Sequence, residues 1–498
     1  MKLVKLLERL DYSVIKGSVD TEITSLVYDS RKACEGSVFV CISGTVTDGH
    51  TYINDVVAKG AAALIVTTDV EVEADVTVVK VTDDRRALAY MSAAYFDYPA
   101  EKLTTIGITG TKGKTTTTFM VYDVLNRAGI KTGLIGTIET IIGEKHIPSS
   151  HSTPESYVIQ QQFREMVDEG ITTVIMEVSS QGLKMKRVAG INYDIGVFTN
   201  LEPDHIGGNE HPDFEDYLAC KRLLFRQCKV GIANGDDSHF DEMMDGHTCE
   251  LYTFGCLDTN DYRADKIMLT SSKLGENGES VASAGISYHM VGMNKDLNVY
   301  VDVPGRFTVY NSLTAIAICD RLGVEDKAIL EGLASVKVRG RVETVPVSDK
   351  FTIMVDYAHN EMSLRSVLKT LREYNPGRLV CMFGCGGNRS RDRRFSMGRV
   401  SGELSDLTII TSDNPRYEEP KDIIADIITG ISNVPDAVYE VVEDRYEAVK
   451  YALKNAKEGD LILIAGKGHE DYQEIKGVKY HMDDRELIVK AAEEIGIK

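Results

Sequence analysis

The sequence predicts an α/β protein of three domains. They are a small N-terminal α/β domain, a central P-loop-type parallel sheet with a small antiparallel appendage, and a C-terminal Rossmann-like domain. Three observations carry that expectation. β-type apolar runs alternate with helix-type runs along the chain, the pattern of parallel sheets covered by helices on both faces. One run, Leu103 to Ile108, feeds a Gly-rich turn, and a helix-like pattern begins at Phe119. The length, 498 residues, suits about three domains.

Apolar residues make up 43% and charged residues 27%, ordinary for globular chains, so each domain has a core to bury. The chain carries 56 basic and 76 acidic residues, a net charge of −20. That balance argues against nucleic acid or anionic membrane as partner, yet leaves room for a nucleotide, whose phosphates respond to the local field. The nine cysteines form no CxxC pair. Their scatter points to reduced thiols in a cytoplasmic protein without structural zinc. The N-terminal MKLVKLLERLD reads as an amphipathic helix and not a secretion signal. No window approaches the ~18 consecutive apolar residues of a membrane span.

Residues 1–100 form the first domain, with strands expected at Val38–Ile42, Ala62–Thr67 and Val76–Val81 and helices at Ile53–Lys59 and Arg85–Tyr95. The turn Asp29-Ser30-Arg31 and the loop Ser43 to Gly49 are either ligand-bearing or plain connections. Phe96-Asp97-Tyr98-Pro99-Ala100 breaks the helix and marks the boundary. Residues 101–335 form the central domain, with strands at Thr104–Thr109, Thr172–Val178 and Ile195–Thr199. Short β runs and Gly-rich turns from Cys249 to Val303 read as the antiparallel appendage, and a helix follows Asn311. Residues 336–498 form the third, with strands at Thr352–Val355, Arg378–Phe383, Leu407–Thr411 and Asp460–Ala465.

The chemistry starts at Ile106 to Thr118, IGITGTKGKTTTT. Gly110 and Gly113 let backbone N–H groups close on an anion, the helix start adds positive partial charge, Lys114 adds a full charge, and Thr115 offers a hydroxyl to Mg2+. The general P-loop pattern puts a first glycine at position 108, where this chain has Ile108. Glu177, at a neighbouring strand end in Met176-Glu177-Val178-Ser179-Ser180, is a metal ligand or a helix-capping carboxylate. His205, in TNLEPDHI, sits at a third strand end and can complete a metal site with Glu177 and Thr115. Lys221 reads, from its spacing alone, as a solvated helix residue. In the third domain four strand ends carry polar or Gly-rich turns: Asp356 to Asn360, Gly384 to Arg389, Asp413 to Arg416 and Gly466 to Glu470. Singly each is a connector; together they suggest a site facing the phosphate loop across a cleft.

The motifs GTKGKTT, MEVSSQGL, TNLEPDHI, the Lys221 segment, VYNSLTA, GRVE, DYAH, GCGGNRSRDRR, DNPR and GKGHEDYQ, in that order, resemble the Mur ligase family over essentially the whole chain. That family comprises ATP-dependent amino-acid-adding enzymes of peptidoglycan synthesis. The resemblance implies a cytoplasmic monomer with small-molecule substrates that serves cell-wall growth and division. It implies ATP on Gly110, Thr111, Lys112, Gly113, Lys114, Thr115 and Thr116, completed by Asn311, Arg341 and Asp356. A UDP-muramoyl-dipeptide would lie on Tyr28, Ser30, Thr45, Val46, Thr47, Ser152, Thr153, Ser179 and Arg187. Mg2+ would be held by Thr115, Glu177, His205 and a CO2-derived carbamate on Lys221, with Lys114, Glu177, His205 and Lys221 as the catalytic set. The added amino acid would lie on Arg389, Asp413, Asn414, Pro415, Arg416, Gly466 and Glu470.

A guanidinium matches a carboxylate in geometry and charge, so Arg416 favours meso-diaminopimelate over L-lysine, the alternative. The implied reaction is amide formation on the D-glutamate carboxylate through an acyl phosphate. The chain departs from the family at His151 (for Asn), Gln181 (for His), Met185 (for Gln) and Asn360-Glu361 (for Thr-Pro). A P-loop phosphotransferase would not explain DNPR, a folate-glutamylating relative should lack the first domain, and a non-catalytic binder would be expected to lose Lys114, Glu177 or His205.

Overall fold

The computed structural model describes every residue except 45, 46, 205, 208, 209, 275–279 and 498, and only the backbone of 271–274 and 280–283. The chain divides into two compact units, 1–261 with 314–324, and 262–313 with 325–498.

The first unit opens with a five-stranded sheet in the order Tyr12–Lys16, Thr77–Val81, Ala63–Val66, Ser37–Val40, Ser25–Val27. All are parallel except the edge strand Tyr12–Lys16. The three inner strands follow the expected runs to within two residues, because each is a short, mostly apolar run buried on both faces except at Lys80. The N-terminal helix is shorter than expected, only Leu3–Leu6. Leu3, Leu6 and Leu7 are buried, and the chain then turns into the edge strand, whose ladder takes the backbone bonds a longer helix would have used. Phe96 caps the helix Asp84–Tyr95, and Asp97 and Tyr98 follow with positive φ, so the helix breaks where expected.

The same unit continues with strands in the order Glu250–Gly255, Cys228–Asn234, Tyr193–Phe198, Thr104–Thr109, Thr173–Glu177, Thr132–Ile135, Glu139–Ile142, Lys145–Pro148. The first six run parallel and the last two form antiparallel hairpins. Thr104–Thr109 is central, with Ile108 opposite Glu177 and Thr109 opposite Phe198. The strand Cys228–Asn234 and the strands over 132–148 were not among those expected from the sequence. Glu250–Gly255 extends the parallel sheet, so the antiparallel part begins later than expected.

In the second unit Tyr262–Leu274, Ser280–Gly292 and Lys295–Val301 are antiparallel, the appendage. A sheet follows in the order Glu343–Thr344, Thr352–Asp356, Leu461–Ala465, Leu379–Phe383, Leu407–Ile410, Tyr439–Val441, parallel except for its first strand. The helix Phe307–Arg321 contains Asn311 within its second turn, where a start after Asn311 was expected. Among the described residues no helix is long and apolar enough to cross a membrane.

Ile108, where the general loop pattern has glycine, is fully buried in the central strand, and the phosphate turn starts two residues later. Ile108→Ala should therefore cost about 3 kcal/mol, the usual loss for truncating a core aliphatic, read as a lowered denaturation midpoint.

Candidate active site

The loop Gly110–Gly113 leaves the central strand and enters the helix Lys114–Arg127, with Gly113 as N-cap at φ +84°. A left-handed N-cap needs no Cβ, which turns the first N–H groups of a 14-residue helix into the loop. Gly110 has no room for a side chain: a Cβ there would lie 1.9 Å from Thr199 Oγ1. The next strand's end clamps the loop. Thr111 N donates to Asn200 O at 2.8 Å, Lys112 N to Asn200 Oδ1 at 2.9 Å, and Thr199 Oγ1 to Lys112 O at 2.7 Å. Lys114 Nζ donates to the carbonyls of Gly110 (2.8 Å) and Thr111 (2.9 Å).

Glu177 ends the neighbouring strand, 1% exposed. Its Oε1 accepts from Thr115 Oγ1 (2.9 Å) and Thr137 N (2.8 Å), and its Oε2 from Thr137 Oγ1 (3.0 Å). The carboxylate is held by donors on two neighbouring segments rather than capping its own turn. The cap of the following helix is Ser179, whose Oγ accepts from Gly182 N at 3.0 Å. Thr153, 1% exposed, donates to the carbonyl of Glu177 and accepts from Ser179 N at 2.9 Å. Arg187 donates to Thr153 O at 2.9 Å and pairs with Glu155 at 2.8 Å.

Lys221 corrects the expectation of a solvated residue: it is 2% exposed in the helix Phe214–Arg222. Its Nζ donates to Gly110 O at 2.8 Å and lies 4.5 Å from the Tyr217 ring centre. Burial, then the charge of Lys114, hold its pKa well below the usual lysine range. Its spacing did not separate it from an ordinary helix lysine; the motif resemblance singled it out, and its packing under the loop is what the structure adds. His205 lies outside the described residues, as do Thr45 and Val46.

A cleft of about 490 Å3 runs past Lys114, Ser152, Thr153, Ser179 and Arg187. His151, Gln181 and Met185, the three departures in this region, line it too. A second pocket of about 580 Å3 in the same unit takes in Tyr28, Ser30 and Thr47, together with Asp29 and Arg31 of the same turn and with Arg85, which the sequence reading passed over.

In the second unit the four expected turns leave parallel strands, so they share one sheet edge. Asp356 accepts from Val342 N and Ala358 N, both at 2.8 Å, and burial raises its pKa. Arg341 lies 5.2 Å from the Tyr357 ring centre. Asn414 donates to Glu470 Oε2 (2.8 Å) and accepts from Lys467 (3.1 Å) and Glu474 N (2.9 Å). Arg416, at φ +53°, pairs with Glu474 at 3.1 Å and donates to Gly387 O at 2.8 Å, which fixes its guanidinium plane. Burial, then Asp413, raise the Glu470 pKa. Gly466 packs so closely that a Cβ would sit 2.8 Å from Asp413 Oδ2. Pro415 is buried in the same turn, Asn311 is buried, and Arg389 is exposed. Lys467, 0% exposed and 3.8 Å from Asp413 and 3.6 Å from Glu470, was not anticipated.

Two measurements test this geometry. Gly110→Ala should abolish nucleotide binding, since the added methyl collides with Thr199 and the loop must move. His469 sits beside Tyr357 with its pKa lowered from 6.5 to about 4, by burial first and then Arg341. Its folded pKa lies below the unfolded one, so its stabilising contribution is complete above about pH 6.5 and is lost as pH falls towards 4. Melting temperature should decline across that window, and His469→Gln should flatten the decline.

Three family models match this chain: the Mur ligase middle domain over residues 108–319, the Mur ligase glutamate ligase domain over 340–468, and the Mur ligase family catalytic domain over 22–98. The chain is 41% identical over 495 residues to the UDP-N-acetylmuramoyl-L-alanyl-D-glutamate–2,6-diaminopimelate ligase of Clostridium perfringens, covering 98% of this chain and 99% of that one. It is also 41% identical over 492 residues to the ligase of that name from Clostridioides difficile, covering 98% of each. A solved structure of a ligase of that name superposes with a TM-score of 0.74 at 28% identity, covering 100% of both chains. With its phosphate loop, its buried strand-end carboxylate and its matched length, this chain belongs to the Mur ligase family.

Proposed function

We propose that the protein is an ATP-dependent acid–amino-acid ligase. It adds meso-2,6-diaminopimelate to the D-glutamate of UDP-N-acetylmuramoyl-L-alanyl-D-glutamate and releases ADP and phosphate, acting as a monomer in cytoplasmic peptidoglycan synthesis. The observation that carries this reading is end-to-end identity of about 40% with ligases of that name.

In this reading the nucleotide phosphates lie on Gly110–Thr116, with Lys114 neutralising charge at the γ-phosphate. Asn311, Arg341 and Asp356 contribute the rest of the ATP site. The residues at the strand edge suit Mg2+, which prefers hard oxygen ligands. Thr115 donates its proton to Glu177 and keeps its lone pairs, while Glu177 Oε2 accepts only one protein hydrogen bond among those described. His205 and a carbamate on Lys221 join them. Carbamate formation takes up CO2 and releases a proton, and it needs the neutral amine that burial favours. Mg2+, when bound, screens the charge of the phosphates.

The chemistry is a transfer followed by a substitution. The D-glutamate carboxylate attacks the γ-phosphorus, the bond to ADP breaks, and an acyl phosphate forms. The amine of diaminopimelate then adds to the acyl carbon, and loss of phosphate leaves the amide. Ser152, Thr153, Ser179 and Arg187 hold the dipeptide end; Tyr28, Ser30 and the loop over 45–47 hold the UDP end. Arg389 and Arg416 receive the distal carboxylate of diaminopimelate and Glu470 its ammonium, with Asp413, Asn414, Pro415 and Gly466 shaping the pocket.

An amino-acid panel tests the proposal. Phosphate release with ATP, Mg2+ and the UDP-muramoyl-dipeptide should be highest with meso-diaminopimelate; faster release with L-lysine would overturn the specificity. Arg416→Ala should lose activity with diaminopimelate by at least about 100-fold, the scale set by unpairing a charged hydrogen-bonded group, while ATP binding persists.

A further inference from the structure

Ser180 follows the cap residue Ser179, and both line the cleft that passes Lys114. Behind Ser180 runs a chain of polar groups, buried at His211 and half-buried at Asp216 and Lys184, that the metal-ligand set does not use. His211 Nε2 lies 2.9 Å from Ser180 Oγ, and His211 Nδ1 lies 2.6 Å from Asp216 Oδ2. Lys184 donates to Asp216 Oδ2 at 2.8 Å and to the carbonyl of Glu210 at 3.0 Å. His211 is 1% exposed, and its ring packs edge-on against Tyr217 with centres 5.2 Å apart. Tyr217 in turn touches Thr111 of the phosphate loop, oxygen to oxygen at 3.0 Å.

With the His211 ring neutral, the donors and acceptors leave one consistent assignment. The Lys184 ammonium keeps Asp216 an ionised acceptor, so His211 Nδ1 carries the ring proton. Nε2 is then an acceptor, and the single hydroxyl proton of Ser180 points at it. Towards the cleft Ser180 Oγ therefore offers only lone pairs, and its acceptor strength is raised by the chain behind it. Cys220 lies near Asp216 and His211, but both ring nitrogens are engaged and the Lys184 cation sits on the carboxylate. The trio orients a proton and does not suit a cation.

We propose that Ser180 is a substrate-binding acceptor for an amide N–H of the dipeptide portion of the acyl substrate, and that His211 and Asp216 are positioning residues acting through it. This rests on the ligase reading above. It assigns Ser180 a fixed hydrogen-bond polarity, opposite to that of Arg187, which lines the same cleft, so that amide N–H and carboxylate groups are told apart along the substrate.

Calorimetric titration of the full-length protein with UDP-N-acetylmuramoyl-L-alanyl-D-glutamate, and separately with ATP, tests the assignment. Ser180→Ala should raise the dissociation constant for the dipeptide substrate about tenfold, the scale of one hydrogen bond to a buried partner, with ATP affinity unchanged within about twofold. His211→Phe, which cuts the chain, should have the same effect, and the double variant should lose no more than either alone. His211→Gln retains one donor and one acceptor and should stay within about twofold of wild type. If His211→Phe fails to fold, Ser180→Ala and His211→Gln decide the matter. Unchanged affinity in Ser180→Ala, or additive losses in the double variant, overturns the assignment alone. Absence of binding to the wild-type protein overturns the ligase reading and the assignment with it.

Discussion

A carboxylate buried at the end of a strand is tolerable only when its lone pairs are used, and Glu177 sets that condition for the whole strand edge. Thr115 and Thr137 supply three hydrogen bonds to it. Thr115 opens the helix after the phosphate loop, so the helix start cannot shift without unpairing a buried charge. Thr137 follows Gly136, where a Cβ would stand 2.8 Å from Glu177 Oε1. The carbonyl of Glu177 accepts from Thr153, which also touches Ser179. Loop, carboxylate and cleft wall are thus one connected set of hydrogen bonds.

The second unit solves a similar problem with ion pairs. Arg445 and Asp484, 2% and 0% exposed, form a two-pronged pair at 2.7 Å on each side. Arg445 also donates to Ser412 O and Ala465 O, the carbonyls just before Asp413 and Gly466. A fully buried pair of this kind contributes little net stability, but removing one partner strands a charge. Its evident consequence is geometric: two strand ends that carry Asp413 to Arg416 and Gly466 to Glu470 are tied to one guanidinium. Lys467 adds a second tie through Asn414. The polar turns of this edge are therefore held from beneath by buried cations, and Arg416 is held from the side by Glu474.

Much of this was legible from residue order. The loop Gly110–Thr116 announces itself because strand, glycines, lysine and helix start must be contiguous to cradle a phosphate. The strand-end position of Glu177 follows from a buried run that ends in a charge. Lys221 was legible only through the motif resemblance, because by spacing alone a lysine in a helix pattern looks the same whether its ammonium meets water or the carbonyl of Gly110. The same ambiguity of spacing holds for His211, whose partners Ser180 and Asp216 lie 31 and 5 residues away. Nothing in the residue order singles out Arg445 or Lys467 as buried, for the same reason. The apparent defect at Ile108 was resolved by burial, since that side chain belongs to the core and the turn begins at Gly110.

Sequence alone determined what is local: parallel α/β architecture from alternating runs, the phosphate loop from its contiguous pattern, and the family from the order of its motifs. Those properties depend on neighbours in the chain and survive any arrangement of the rest. Tertiary structure decided which side of each pattern is buried and which polar groups meet. It placed Lys221 beneath Gly110, gave Glu177 its three donors, and set His211 between Ser180 and Asp216. The physical reason is that burial and hydrogen-bond partnership are properties of space, and a group's charge and polarity are fixed only when its partners are.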